Sequence, residues 1–216
     1  MAALLGFSKS FTFFRQIRSV NSQRRAWLAA AALVWLSSLA GPALAQTSPR
    51  VKFVTTEGSF VVEVYPDKAP KTVENFLQYV KEKHYDGTVF HRVIDNFMVQ
   101  GGGFDANYVQ KATRAPVVHE GREALAKGGS KNVVGTLAMA RANDPNSASS
   151  QFFINVKDND FLNPTPNAYG YTVFGKVVSG MEVVNKIKSV PTGAGGPFPS
   201  DVPKTPVIIK SASLVN

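Results

Sequence analysis

An all-β dominated fold, a closed barrel or a sandwich rather than an alternating βαβ sheet, is predicted by three features of this sequence. Eight short runs rich in β-branched and aromatic residues recur between positions 51 and 215, only two stretches carry helical spacing, and turn residues punctuate the gaps. No internal repeat or low-complexity linker divides that region.

The elements follow in order. Residues 51–55 and 59–64 are strand-like and are joined through Thr56-Glu57-Gly58, a hairpin signal. Pro66 and Pro70 then interrupt the alternation. Val73, Phe76, Leu77 and Val80 recur at i, i+3, i+4 and i+7, the stripe of an amphipathic helix, with Thr72 as its expected N-cap and Gly87 beyond its end. Further strands are expected at 88–94, 97–100, 136–140, 151–156, 172–178 and 206–215, and a second helix at 181–188 after Gly180. Stretches 104–131 and 191–206 read as long irregular segments, and Gly101-Gly102-Gly103 as a tight turn.

The first 45 residues stand apart. They hold Lys9, Arg15, Arg18, Arg24 and Arg25 with no acidic residue, then an apolar run over 26–40, then Gly41, Pro42 and Ala43-Leu44-Ala45. This is the order of a secretory signal peptide, with cleavage expected after Ala45 and a single domain over 46–216. A membrane span needs about 20 apolar residues, and Ser37, Ser38, Gly41 and Pro42 interrupt this run, so no stable insertion is expected after cleavage. Arg24-Arg25 is followed by Ala26-Trp27-Leu28, a poor match to twin-arginine signals, which favours the general secretory route.

The net charge of +9 overstates the basicity of the domain, because residues 46–216 keep 19 basic against 15 acidic residues, a net +4. That charge is scattered, without the basic and aromatic stripe of a nucleic-acid footprint. The absence of cysteine removes thiol nucleophiles, disulfides and thiolate metal sites. His84, His91 and His119 lack the short ligand pairs of zinc sites, and His91 is expected to pack on the strand face opposite its neighbour Arg92. The glycine triplet is not followed by Gly-Lys-Ser/Thr, and Ser149-Ser150 is not set in a nucleophile elbow.

Four segments are distinctive together: Phe90-His91-Arg92-Val93-Ile94 running on to Phe97-Met98-Val99-Gln100-Gly101-Gly102; Leu137-Ala138-Met139-Ala140-Arg141; Ser150-Gln151-Phe152-Phe153-Ile154; and Val173-Phe174-Gly175-Lys176-Val177. In order and spacing they resemble the cyclophilin family, over residues 50–215. The resemblance implies a closed eight-stranded antiparallel β-barrel capped by two α-helices, with the working groove on the outer surface. It implies peptidyl-prolyl cis/trans isomerase activity on proline-containing chains, with Arg92 as the catalytic residue. Phe97, Met98, Gln100, Ala140, Gln151, Phe153 and Leu162 fall on substrate-binding positions. Phe161 and Tyr171 stand on the rim where many eukaryotic members have tryptophan and histidine, as in bacterial periplasmic members. Phenylalanine cannot make the hydrogen bond that the tryptophan gives to ciclosporin, so weakened binding of that drug is expected. Together with the signal, the resemblance implies a periplasmic monomer that needs no cofactor or metal.

Physical chemistry gives these residues coherent roles. Partial double-bond character sets a rotation barrier of about 18–20 kcal/mol, so X-Pro isomerisation takes roughly tens to hundreds of seconds. In the twisted transition state the prolyl nitrogen loses conjugation and becomes a better acceptor, so a donor aimed at it stabilises that state selectively. A permanently charged, forked guanidinium suits the task. Strand alternation places Phe90, Phe152 and Ile154 in the core and Gln151 and Phe153 outside. The rival reading is a non-catalytic module that only holds proline-containing chains; a surface arginine in a salt bridge and glutamines without a role are its counterparts at the residue level.

Overall fold

The computed structural model describes residues 48–215, so the signal-peptide reading of 1–45 lies outside the described residues. Two strands open the fold, β1 (Arg50–Thr55) and β2 (Gly58–Val64). The Thr55 hydroxyl stitches the turn between them, donating to Gly58 O at 2.8 Å and accepting from Glu57 N at 3.0 Å. Helix α1 (Pro70–Lys81) then buries Val73, Phe76 and Val80 as the spacing predicts, with Tyr79 fully buried beside them and Leu77 of the predicted stripe only partly so.

Thr72 does not cap that helix. Pro70 starts it, and the cap comes from Glu120, whose carboxylate accepts from Lys71 N at 3.1 Å, Thr72 N at 2.8 Å and the Thr72 hydroxyl at 2.8 Å. An anion at a helix N-terminus satisfies donors that the helix itself leaves open.

Six strands complete the main sheet: β3 (Thr88–Ile94), β4 (Met98–Asp105), β5 (Thr136–Met139), β6 (Phe152–Asn155), β7 (Val173–Ser179) and β10 (Ile209–Val215). All eight pair antiparallel in the order β10-β1-β2-β7-β5-β6-β4-β3. The two end strands meet through a single bridge, Val89 to Ile208, and through Phe90 N→Val207 O and Gly87 N→Ile209 O at 3.0 and 2.8 Å. The sheet is therefore barrel-like, closed by scattered hydrogen bonds rather than by a full ladder.

Three helices are present among the described residues rather than the expected two. Helix α2 (Gly121–Ala126) lies in the stretch read as irregular, while α3 (Met181–Lys188) buries Val184 and Ile187 where the second helix was predicted. The other irregular stretch holds a two-stranded hairpin, β8 (Thr192–Gly195) with β9 (Phe198–Pro203). The glycine triplet is not a turn but part of β4: a Cβ on Gly101 would lie 2.9 Å from the Phe90 ring, and one on Gly103 2.5 Å from Gln151 Cγ. These glycines let large neighbours close on the strand.

The interior is aromatic. Phe152 lies within 5.4 to 6.2 Å, centroid to centroid, of Phe53, Phe76, Tyr85 and Phe90. Ile154 shares this cluster, whereas Phe153 belongs to a second one with Met98, Ala138, Leu162 and Val173. Alternation along β6 thus separates core from outer surface as predicted.

Candidate active site

The second cluster is the floor of a cavity of about 170 Å³ lined by Arg92, Phe97, Met98, Gln100, Ala140, Arg141, Phe153, Leu162 and Tyr171. Eight of the ten residues picked from sequence line it. Gln151 lies alongside, its Oε1 accepting from Gln100 Nε2 at 3.0 Å. Phe161 is 75% exposed and stacks on Phe97 at 5.7 Å, which makes it rim rather than wall.

A bulge aims Arg92. In the β3–β4 ladder Phe90 faces Gly101 but Arg92 faces Gln100, so one extra residue is inserted at His91. Phe90 and Val93 both enter the core cluster, and the two residues between them leave it. The expected opposite-face placement of His91 is corrected accordingly: its ring packs outside the core, 4.7 Å from Phe104 and 5.4 Å from Phe198 of β9. Burial pushes this imidazole down to about 4, so it is a neutral plate beside Arg92 at neutral pH. The Arg92 guanidinium rests 5.9 Å from the centre of the Phe97 ring.

The far wall hangs on a buried polar network that sequence reasoning missed. Asn159 Nδ2 donates to Phe97 O at 2.9 Å and to Asn155 Oδ1 at 2.8 Å; Asn155 donates to Asn132 Oδ1 at 3.2 Å and Thr136 Oγ1 at 3.0 Å. Asn132 in turn donates to Leu162 O at 3.2 Å and to Asn163 Oδ1 at 3.1 Å. These amides tie the 3₁₀ turn Asp160–Leu162, which carries Phe161 and Leu162, to the barrel and to Phe97. A satisfied buried network specifies one arrangement of the walls. Asparagine clustering at 155, 159 and 163 was its only signal in the sequence.

Arg141 is the other missed wall residue, visible beforehand only as the neighbour of Ala140. Ala140 N donates to Gln151 O at 3.0 Å, which leaves the Ala140 carbonyl as the main-chain group facing a ligand. Among the described residues no group of three or more His, Cys, Asp and Glu gathers to hold a metal. A pocket with an apolar floor, two guanidiniums (Arg92 and Arg141) on its walls and a pair of amides beside it can grip a small apolar ring and hydrogen-bond an extended backbone.

Gly103→Ala is expected to raise KM about fivefold while kcat falls by less than about twofold, because the new methyl displaces Gln151 and breaks an amide pair worth about 1 kcal/mol. Steady-state kinetics on an X-Pro peptide checks this. An unchanged KM would remove the glutamine pair from binding.

A family profile described as "Cyclophilin type peptidyl-prolyl cis-trans isomerase/CLD" matches residues 50–214. The chain is 53% identical over 168 residues to peptidyl-prolyl cis-trans isomerase cyp18 of Streptomyces antibioticus, covering 76% of this chain and 98% of the relative. It is 52% identical over 167 residues to peptidyl-prolyl cis-trans isomerase B of Escherichia coli, with the same coverage. The fold resembles a crystal structure of a cyclophilin type isomerase of Cryptosporidium parvum determined in the presence of the dipeptide Ala-Pro. That likeness has a TM-score of 0.62 and 26% identity, and covers 77% of this chain and 99% of the other.

Proposed function

The chain belongs to the cyclophilin-type peptidyl-prolyl cis-trans isomerases, and we propose that it works by hydrogen bonding from Arg92 to a prolyl peptide seated in the pocket of Phe97, Met98, Phe153 and Leu162. It acts on proline-containing peptides. Arg92 is the catalytic residue: its fork reaches the pyramidalising prolyl nitrogen and a neighbouring carbonyl oxygen, an interaction that strengthens as the bond twists. Gln100, Gln151 and the Ala140 carbonyl hold the flanking backbone, and Phe161 and Tyr171 border the entrance. No bond is broken, so no nucleophile or cofactor enters.

One observation carries this reading. Among the described residues Arg92 makes no ion pair, although it stands on a strand at the mouth of an apolar cavity. Arg122 and Arg141 also lack a carboxylate partner but donate to backbone carbonyls, whereas the Arg92 guanidinium makes no hydrogen bond among the described residues and keeps its whole fork for a ligand.

We further place the protein in the periplasm, exported by the general secretory route, cleaved after Ala45, and acting on exported clients. The basic, apolar and small-residue order of 1–45 supports this. The monomer is the working unit, since one chain builds the whole pocket. Ciclosporin binds weakly, because Phe161 offers no donor. Expression of the full chain in a Gram-negative host, followed by osmotic shock and N-terminal sequencing, tests the location. A periplasmic product beginning at Gln46 is expected; an uncleaved product in the membrane fraction would refute export as a soluble enzyme.

A further inference from the structure

We infer that Arg141 makes this isomerase prefer substrates with an acidic residue within two positions of the proline, an inference that rests on the isomerase reading of the same pocket. Arg141 and Arg92 both line the cavity, and no carboxylate does. Arg92 lies on β3, and Arg141 follows β5. The strands between them run β3-β4-β6-β5, so three spacings of about 4.8 Å put the two backbones about 14 Å apart. An extended peptide rises about 3.3 Å per residue, so two positions from the proline span about 7 Å, and the remainder of those roughly 14 Å is covered by the long side chains of the two arginines and of the substrate glutamate reaching into the cavity between them.

The Arg141 guanidinium is held ready for a ligand. It lies 4.7 Å from the Tyr171 ring centre. Nε donates to Gly170 O at 3.0 Å, and Nη1 donates to Ala142 O at 2.9 Å and to Asn143 O at 3.3 Å. Nη2 keeps its donors free among the described residues. The acidic residues closest in sequence to the cavity walls have other partners: Asp95 pairs with Lys188 at 3.1 Å, Asp144 Oδ1 accepts from Asn146 N at 2.8 Å, and Asp160 Oδ1 accepts from Asn163 Nδ2 at 3.1 Å. Arg122 extends the positive margin, stacked 4.7 Å from Tyr169 and bonded to Thr165 O and Pro166 O. A fixed guanidinium with Nη2 unpartnered and no anion beside it is complementary to a substrate carboxylate, and an immobilised side chain loses little freedom on binding one.

The experiment scans glutamate, glutamine and lysine through the two positions before and the two after proline in an otherwise alanine peptide, with wild type, Arg141→Gln and Arg141→Lys. At low salt the Glu peptide is expected to exceed its Gln counterpart in kcat/KM by about three- to tenfold at one position or more, chiefly through KM, as a partly exposed charged pair allows. The preference should shrink below about twofold in Arg141→Gln and in 0.5 M salt, and survive in part in Arg141→Lys. Equal turnover of Glu, Gln and Lys peptides by wild type would overturn the inference. So would a preference that persists in Arg141→Gln, or a loss in that variant uniform across all peptides. Failure of wild type to turn over even the all-alanine peptide would instead refute the isomerase reading beneath it.

Discussion

Arg92→Ala is expected to lower kcat/KM for a reference X-Pro peptide by about 30- to 1,000-fold, about 2 to 4 kcal/mol, while peptide affinity changes by less than about threefold. Shortening a hundred-second rotation to milliseconds takes about five powers of ten, roughly 7 kcal/mol, so one donor is asked for about a third to a half of the barrier reduction. The bulge at His91 aims the guanidinium into the cavity mouth, and Phe97 backs it without neutralising it. The planar ground state offers this donor a weak acceptor and the twisted state a strong one, so its removal falls on rate rather than binding. Arg92→Lys keeps the charge but loses the fork and should recover only part of the loss. The two quantities come from a protease-coupled assay and from calorimetric titration of the same peptide. A rate loss below tenfold sinks the role. Equal losses of rate and affinity would make Arg92 a binding group, the behaviour expected of a module that holds chains without turning them over.

Patterns that repeat within a few residues were legible in the sequence. The 3.6-residue stripe gave α1, and two-residue alternation placed Phe152 inside and Phe153 outside. Long-range features were not. The cap of α1 comes from Glu120, 48 residues beyond Thr72, and nothing near Thr72 announces it. The β8–β9 hairpin hides in a Gly/Pro-rich stretch because its strands bury little, so the alternation that marks a strand is missing. The His91 bulge follows from how two strands register, which one strand's sequence does not encode. In the site, Arg92 and the apolar walls were legible through the motifs. Arg141 closes one of the motifs but its place in the cavity wall, like the asparagine network, depends on which distant segments meet over the barrel, and a motif read along one segment does not encode that.

Phe152→Ala is expected to destabilise the domain by about 3 to 5 kcal/mol, yet leave kcat/KM of the folded protein within about threefold of wild type. Phe152 is fully buried at the centre of four aromatic partners, so truncation removes contacts on every side and leaves a cavity that rigid rings cannot fill. Against a typical total of about 5 to 15 kcal/mol, a loss of this size lowers the melting temperature by on the order of 10 °C. The pocket is spared because it lies on the other face of β6: its floor is Phe153, and its walls hang on the asparagine network rather than on the aromatic core. Phe153→Ala is the complementary variant, with its main effect expected on KM. Calorimetric melting and kinetics well below the melting point separate the two readouts. If Phe152→Ala melted like wild type but lost turnover, the assignment of the two faces of β6 would be reversed, and with it the placement of the active site on the outside of the barrel.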